Sequence, residues 1–214
     1  MRNYQLTLFS ITLMCVAGAA ASQQPAGDKP PPVTATGYSA AVSKAVNLCS
    51  TCHGPYGVSV SPEFPNLAAQ RPGYLAAQLK NFQEHTRAET AAHDFMWGIA
   101  GPLDNETIAG LAKYYSEQKP APPHPGNPAL IAKGRAIFDK GFPDRGILAC
   151  ATCHGSDAQG NLDFPRLAGQ NATYVVRQLE AIQSATRAAP VMHGIVQNLS
   201  PEEVVSVAEF VQSE

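Results

Sequence analysis

The amino-acid sequence predicts an all-α fold made of two similar modules in tandem. Two observations predict the duplication: the phrase CSTCHG at Cys49–Gly54 returns as CATCHG at Cys150–Gly155, and Phe64–Arg87 aligns with Phe164–Arg187 without a gap. Self-similarity of this kind is typical of repeated structural units. A third observation predicts the fold class, because apolar residues recur at helical intervals in each copy and strand-like alternation is nearly absent.

The first two helices of each module are predicted on either side of the repeated phrase. One helix leads toward the phrase in each copy, over Gly37–Leu48 and Asn127–Phe138. A second helix follows in the gap-free block, where five residues have the spacing of one helix face. In the first copy they are Tyr74, Leu75, Gln78, Leu79 and Phe82.

The last helix of each module is predicted to begin near Asp104 in the first copy and at Ser200 in the second. Pro201 and Glu203 follow Ser200, which is the pattern of a capping box with proline at the first helical position.

The chain begins with a segment that has the features of an export signal. Arg2 precedes an apolar run, and Ala19 and Ala21 are spaced as a cleavage site, so residues 1–21 are predicted to be a signal peptide. The run is too short and too interrupted by Ser and Thr for a confident membrane span. An uncleaved anchor and a lipoprotein signal at Cys15 are the alternatives. We therefore expect a periplasmic protein with no integral membrane span after signal cleavage.

Two proline-rich stretches divide the rest of the chain. Residues 22–36 are expected to form a disordered or extended tether, and residues 119–128 a stiff linker between the modules. The predicted domains are therefore residues 37–118, here called module 1, and residues 129–214, here called module 2.

Charge argues against one class of partner. Residues 37–118 contain 5 basic and 7 acidic side chains, and residues 126–214 contain 7 and 9, so each half has a net charge of about −2. Since no basic run is present, nucleic acid is not an expected partner.

The repeated phrase has the spacing of a covalent haem attachment motif. Removal of the predicted signal peptide also removes Cys15 and leaves four cysteines: Cys49, Cys52, Cys150 and Cys153. In each copy two thiols three positions apart are followed by an imidazole, His53 or His154. Thiols so placed bind the porphyrin, and the histidine faces the iron.

Three other interpretations of the phrase are less favourable. A disulfide does not explain the histidine that follows each pair. A thioredoxin-like redox pair requires a βαβ setting, which is missing. A four-thiolate zinc site usually has its two CxxC pairs closer together. Haem is favoured also because each module is too small to build a sufficient core from its own side chains.

The second axial position of each iron is assigned to a methionine. Met96 and Met192 are the two methionines that remain after signal removal, and they align in the last block of the repeat. Methionine–histidine ligation is an established arrangement in cytochromes c. The rival histidines do not correspond between the copies and are expected at the surface or behind the ligands: His85, His93, His124 and His193.

Further side chains are expected around the haems. Pro65 and Pro165 lie 12 and 11 residues after the proximal histidines, where a turn would present a backbone carbonyl to the imidazole N–H; an ordinary loop proline is the alternative. Arg87 and Arg187 are expected to meet either the haem propionates or the solvent. The aromatic residues expected against the porphyrins are Tyr74, Tyr174, Trp97, Tyr114 and Phe210.

The chain resembles the dihaem cytochromes c of the c4 type. The resemblance rests on CHG, on FPRLAGQNATYVVRQL, on the aligned arginine and methionine, on the closing VAEF helix and on DKGFPDRGILACATCHG at Asp139–Gly155. It covers about Tyr38 to the C-terminus. It implies two tandem class I cytochrome c domains, each wrapped around a covalently bound haem c.

The same resemblance implies a ligand set for each haem. The first haem would be held by Cys49, Cys52, His53 and Met96, and the second by Cys150, Cys153, His154 and Met192. Module 1 departs from the pattern in two places, with LAAQ in place of LAGQ and with four extra residues before Met96. His93 lies in that longer stretch and is a competing ligand for the first haem.

The expected function is electron transport, without catalysis, between respiratory donors and acceptors such as a membrane oxidoreductase or a terminal oxidase. Iron held on both faces has no free position for a substrate. One alternative is the haem subunit of a periplasmic dehydrogenase complex such as flavocytochrome c sulfide dehydrogenase. Another is a dihaem peroxidase in which one haem has a displaceable ligand.

Overall fold

Helices make up most of the regular structure between residues 35 and 214, the part of the chain that the computed structural model describes. The bounds are α1 (Ala40–His53), α2 (Pro72–Gln83), α3 (Trp97–Ala100), α4 (Asn105–Ser116), α5 (Pro128–Lys140), α6 (Ala151–His154), α7 (Ala172–Gln183), α8 (Pro190–Val196) and α9 (Pro201–Ser213). A π-helical segment, Ala92–Met96, leads directly into α3. Extended backbone in this range pairs only as isolated bridges, and the all-α prediction is confirmed. The predicted signal peptide and most of the predicted tether lie outside the described residues.

The first helix of module 1 contains the whole CxxCH motif. Ser39 caps α1 by accepting a hydrogen bond from the Val42 N–H, and the helix continues through both cysteines to His53. Gly54 ends it with a φ of 74°. A Cβ at this position would lie 1.9 Å from the Val58 carbonyl oxygen, so glycine is required.

Module 2 reaches its motif by a different path. Helix α5 ends at Lys140, and Phe142 and Ile147 then exchange two backbone hydrogen bonds of 2.8 and 3.1 Å. This turn separates α5 from the short helix α6, which contains the second histidine. The repeat therefore preserves the motif but not the helix that leads into it.

A glycine lets the first and last helices of each module cross closely. In module 1 a Cβ on Gly110 of α4 would lie 2.4 Å from a methyl carbon of Val42 in α1. In module 2 a Cβ on Gly134 of α5 would lie 1.9 Å from the Ser206 carbonyl oxygen in α9. The glycine is on the last helix of module 1 and on the first helix of module 2.

The last helices begin as predicted. The Asp104 side chain accepts a hydrogen bond of 2.7 Å from the Thr107 N–H at the start of α4. At the start of α9 the Ser200 hydroxyl and the Glu203 carboxylate each bond the other residue's backbone N–H. The capping box is confirmed.

The two modules pack against each other through a matched pair of glutamines. The Gln170 side chain accepts a hydrogen bond from the Asn66 N–H (2.8 Å) and donates one to the Asn66 carbonyl (3.0 Å). Gln70 makes the same two bonds with Arg166, at 2.8 and 2.9 Å. Because Gln70 aligns with Gln170 in the repeat, these contacts relate the modules by an approximate two-fold axis.

A second matched contact between the modules follows the C-terminal ends of α2 and α7. The Ala88 N–H donates to the Thr186 carbonyl (2.8 Å), and the Ala188 N–H donates to the Thr86 carbonyl (3.1 Å).

Between residues 35 and 214 no helix is both long enough and apolar enough to cross a membrane.

Candidate haem sites

A cavity of about 1170 Å³ contains both copies of the CxxCH motif. It exceeds the about 300–1,000 Å³ typical of a single small-molecule site. Eight predicted haem-binding residues line it, in two aligned sets: Cys49, Cys52, His53 and Met96 from module 1, and Cys150, Cys153, His154 and Met192 from module 2. The structure therefore brings all eight predicted haem-binding residues to the lining of one cavity.

Both proximal histidines are oriented by a proline carbonyl. The Nδ1 atom of His53 donates to the Pro65 carbonyl at 2.9 Å, and that of His154 donates to the Pro165 carbonyl at 2.9 Å. The predicted carbonyl contact is confirmed. Because a carbonyl oxygen can only accept, the proton is on Nδ1, and Nε2 has a free lone pair for iron. Burial lowers the pKa of both imidazoles, although the carbonyl bond opposes this effect, so the neutral ligand form is favoured.

The cysteines are placed for attachment chemistry rather than for redox exchange. The i, i+3 spacing puts the two thiols of each motif on one helical face. Burial raises the pKa of the Cys49 and Cys150 thiols to about 11, whereas reactive CxxC pairs have a lowered thiol pKa. Within residues 35–214 no three His, Cys, Asp or Glu side chains are grouped to hold a metal ion.

The four extra residues of module 1 coincide with the π-helical segment. Met96 is the last residue of that segment, whereas Met192 lies inside the regular helix α8. A π turn accommodates extra residues within a helix and is frequent at functional sites. Both methionines line the cavity despite the difference in length.

The rival histidines are placed elsewhere. None of the four is in the cavity lining: His85, His93, His124 and His193. The His85 ring stacks on Trp97 with 3.8 Å between ring centroids, and His93 pairs with Asp94 at the surface. Trp97 itself also lies outside the lining, and its indole N–H donates to a backbone carbonyl. The structure thus places Trp97 beside Met96 and Phe82 but outside the cavity lining, and the expected porphyrin contact stays a prediction.

The aromatic lining of the cavity differs further from the expectation. Tyr74 and Tyr174 line it, as expected, but Tyr114 and Phe210 pack in the module cores instead. Tyr115 lines the cavity in place of Tyr114, because the inward face of α4 lies one residue further along the helix. Helical periodicity locates such a face only to within a neighbouring residue.

Two arginines, one from each module, meet where the cavity passes between the modules. Arg87 is 4% exposed and donates hydrogen bonds to Gln78 (3.1 Å), to Gln178 (2.7 Å) and to Glu89. Arg187 donates to the same two glutamine oxygens, at 3.2 and 2.7 Å. The interpretation of Arg87 as a solvated helix-end residue is wrong, since burial and four side-chain hydrogen bonds hold it inside.

The lining fits two covalently bound haem groups. Its surface is mostly apolar, as the porphyrin faces require, and the free thiols lie beside imidazoles whose Nε2 atoms carry no proton. Thioether sulfur and imidazole nitrogen form a donor set typical of cytochromes c. The arginines would be available as cationic groups for the propionates.

Comparison with known proteins identifies the family. The cytochrome c family profile matches residues 131–214. Cytochrome c-552 of Acidithiobacillus ferridurans is 37% identical over 208 residues, which span 96% of this chain and 86% of that protein. Cytochrome c4 of Thiocapsa roseopersicina is 36% identical over 176 residues, with 79% and 88% covered. This chain belongs to the cytochrome c4 family.

Solved structures agree with this assignment. The structure of Acidithiobacillus ferrooxidans cytochrome c4 superimposes with a TM-score of 0.74 at 38% identity, covering 78% of this chain and 98% of that one. A protein named thiosulfate dehydrogenase electron acceptor, from Thiomonas intermedia, is 32% identical over 173 residues and covers 78% of each chain. The chain is thus a dihaem, electron-carrying cytochrome with class I cytochrome c folds and covalently bound haem c. The predictions of fold, cofactor and electron transport are confirmed.

Proposed function

We propose that this cytochrome relays single electrons between protein donors and acceptors in the periplasm, with one haem c held in each module. Cys49 and Cys52 attach the first haem and Cys150 and Cys153 the second. The axial ligands are His53 with Met96, and His154 with Met192. The main support is that one cavity contains two complete and aligned sets of thiols, imidazole and thioether.

The protein holds each ligand set in place before an electron arrives. The proline carbonyls fix the ring plane of each histidine and increase the basicity of its Nε2. His53 and His154 are 7% and 5% exposed, so water has little access to either ring. The bound iron supplies a one-electron change in oxidation state. A rigid ligand set limits the rearrangement that accompanies that change.

The module interface supports electron exchange between the two sites. Residues of both modules line one continuous cavity, and the matched glutamine contacts fix the modules relative to each other. A two-electron capacity follows, with each module accepting one electron.

We assign no catalytic role to either haem. Met96 and Met192 would occupy the position that a substrate or peroxide needs, and the rival histidines line no part of the cavity. Exposure of the reduced protein to carbon monoxide tests this assignment. Slow or absent uptake at both haems is expected, and rapid uptake at one haem would instead favour the dihaem peroxidase alternative.

A dehydrogenase is the second candidate partner. The relative named thiosulfate dehydrogenase electron acceptor favours a dehydrogenase as the electron donor. The alternative of a haem subunit in a flavocytochrome c complex also has a dehydrogenase as the partner. Purification of the cytochrome from its source distinguishes a freely diffusing electron carrier from a permanent dehydrogenase subunit. A protein recovered alone and reduced by a diffusing donor supports the free carrier, whereas a stoichiometric complex with a dehydrogenase supports the subunit.

Periplasmic location depends on the predicted signal peptide. Cell fractionation followed by N-terminal sequencing tests it. A periplasmic protein that begins at Ser22 is expected. An N-terminus upstream of Ala19 would indicate a retained anchor or a lipoprotein.

A further inference from the structure

The two haem sites differ in one buried charge. Glu89 and Ala189 occupy equivalent positions, two residues after the aligned arginines Arg87 and Arg187. Both residues line the cavity, but only one of them carries a carboxyl group. The approximate two-fold symmetry of the interface is broken at this position.

Glu89 is fixed in the site by a charge pair and by its own backbone. Its side chain is 10% exposed, and its Oε1 accepts a hydrogen bond of 2.8 Å from Arg87 Nε. Its carbonyl accepts hydrogen bonds from the Ala92 and His93 N–H groups, at 2.8 and 3.1 Å. Glu89 thereby lies at the start of the helical segment that contains Met96.

The second carboxylate oxygen of Glu89 takes no part in the contact with Arg87. Oε2 of Glu89 is buried and has no hydrogen-bond partner among the described residues. A buried carboxylate oxygen without a donor is costly. Its position in the cavity lining indicates that it serves the group that fills the cavity.

Module 2 has the arginine without the carboxylate. Arg187 bonds only to neutral side chains, namely Gln78, Gln178 and Tyr74, and it forms no ion pair among residues 35–214. The protein therefore pairs the buried arginine of module 1 with a carboxylate and leaves the half-buried arginine of module 2 without one.

The other acidic side chains in the lining are exposed. Glu63 and Asp94 are 47% and 50% exposed and pair with Arg177 and His93, and Glu180 is also exposed. Water screens such charges, whereas a buried charge acts through a low effective dielectric constant. Among the described residues that line the cavity, Glu89 has the least exposed carboxylate, and its Oε2 atom is buried.

We propose that Glu89 sets the reduction potential of the module 1 haem below that of the module 2 haem. This inference rests on the proposed haem ligation. Oxidised iron carries one more positive charge than reduced iron, so a nearby buried carboxylate stabilises the oxidised state and lowers the potential. An added electron is then held preferentially in module 2, and Glu89 gives the relay its direction.

The test is a redox titration of the holoprotein, with each step assigned to a module by the NMR signals of the Met96 and Met192 methyl groups. Glu89→Gln keeps the size of the side chain and removes its charge. We expect it to shift the module 1 equilibrium toward the reduced state by about tenfold, which is 59 mV for a one-electron couple.

Three variants serve as controls. Glu84→Gln removes an exposed carboxylate from the same module and should move neither step. Glu89→Asp keeps the charge, so the module 1 step should remain at a lower potential than the module 2 step. Ala189→Glu adds the missing carboxylate to module 2 and should lower that step, and it keeps the test valid if Glu89→Gln loses haem.

The outcomes separate this inference from the proposed function. A wild-type protein with fewer than two haems, or without methionine ligation, would contradict the proposed function. A dihaem, methionine-ligated protein in which Glu89→Gln and Ala189→Glu leave both steps in place would overturn the role of Glu89 alone.

Discussion

Replacement of Gln170 by alanine tests whether the two modules share a rigid interface. Gln170 is 7% exposed. Its side chain accepts hydrogen bonds from the Asn66 and Asn171 N–H groups and donates one to the Asn66 carbonyl. Each bond contributes about 0.5–1.5 kcal/mol, and each buried group left unpaired costs about 1–3 kcal/mol. We therefore expect Gln170→Ala to lower the free energy of unfolding by about 3 kcal/mol.

The assay is denaturant unfolding of the oxidised holoprotein, followed by haem absorbance and by far-ultraviolet circular dichroism. Gln70→Ala, at the equivalent position, should cause a similar loss because it removes the same contacts to Arg166. Gln197→Ala is the matched control. Gln197 is an exposed glutamine of module 2, and its loss should change stability by no more than about 0.5 kcal/mol. If Gln170→Ala is no more destabilising than this control, the glutamine contacts do not hold the modules together.

Two further predictions concern module 2. Gly134→Ala should destabilise the protein by about 1–3 kcal/mol through overpacking against Ser206. Gly194→Ala, at a helical glycine with open space around it, should instead be neutral or stabilising by up to about 1 kcal/mol; equal effects in thermal unfolding would contradict the close crossing. The hydrogen bonds from Arg145 lower the pKa of Glu203 to about 2. Since this pKa lies below the ordinary value of 4.5, the pair stabilises the fold above about pH 4.5, and the stabilisation is lost as the pH falls toward 2. Glu203→Gln should remove that part of the pH dependence, and an unchanged difference in stability between pH 5 and pH 2 would show that the pair contributes nothing.

The sequence predicted those features that depend on residues near one another in the chain. The capping box at Ser200 and the CxxCH motif with its following proline are local patterns, and each has a direct physical reason. The two methionines were found because so few remain in the mature chain, and because the repeat places Met96 opposite Met192.

The features that sequence analysis missed depend on contacts between modules. No local pattern shows that Arg87 and Arg187 share Gln78 and Gln178, since these contacts join residues about 90 to 110 positions apart. The aligned glutamines were visible in the repeat as identities, but their role appears only when the modules are packed together. The position of Glu89 opposite an alanine was also visible, and its burial could not be inferred from the sequence.

The oxidised visible spectrum of the purified holoprotein, recorded with haem quantitation, tests the central claim most directly. Two haems per chain and the weak red band of an iron–methionine bond are predicted for the wild-type protein. Met96→Ala and Met192→Ala should each remove about half of that band, and the double variant should remove all of it. A protein with fewer than two haems per chain, or a band that survives either substitution, would contradict the account.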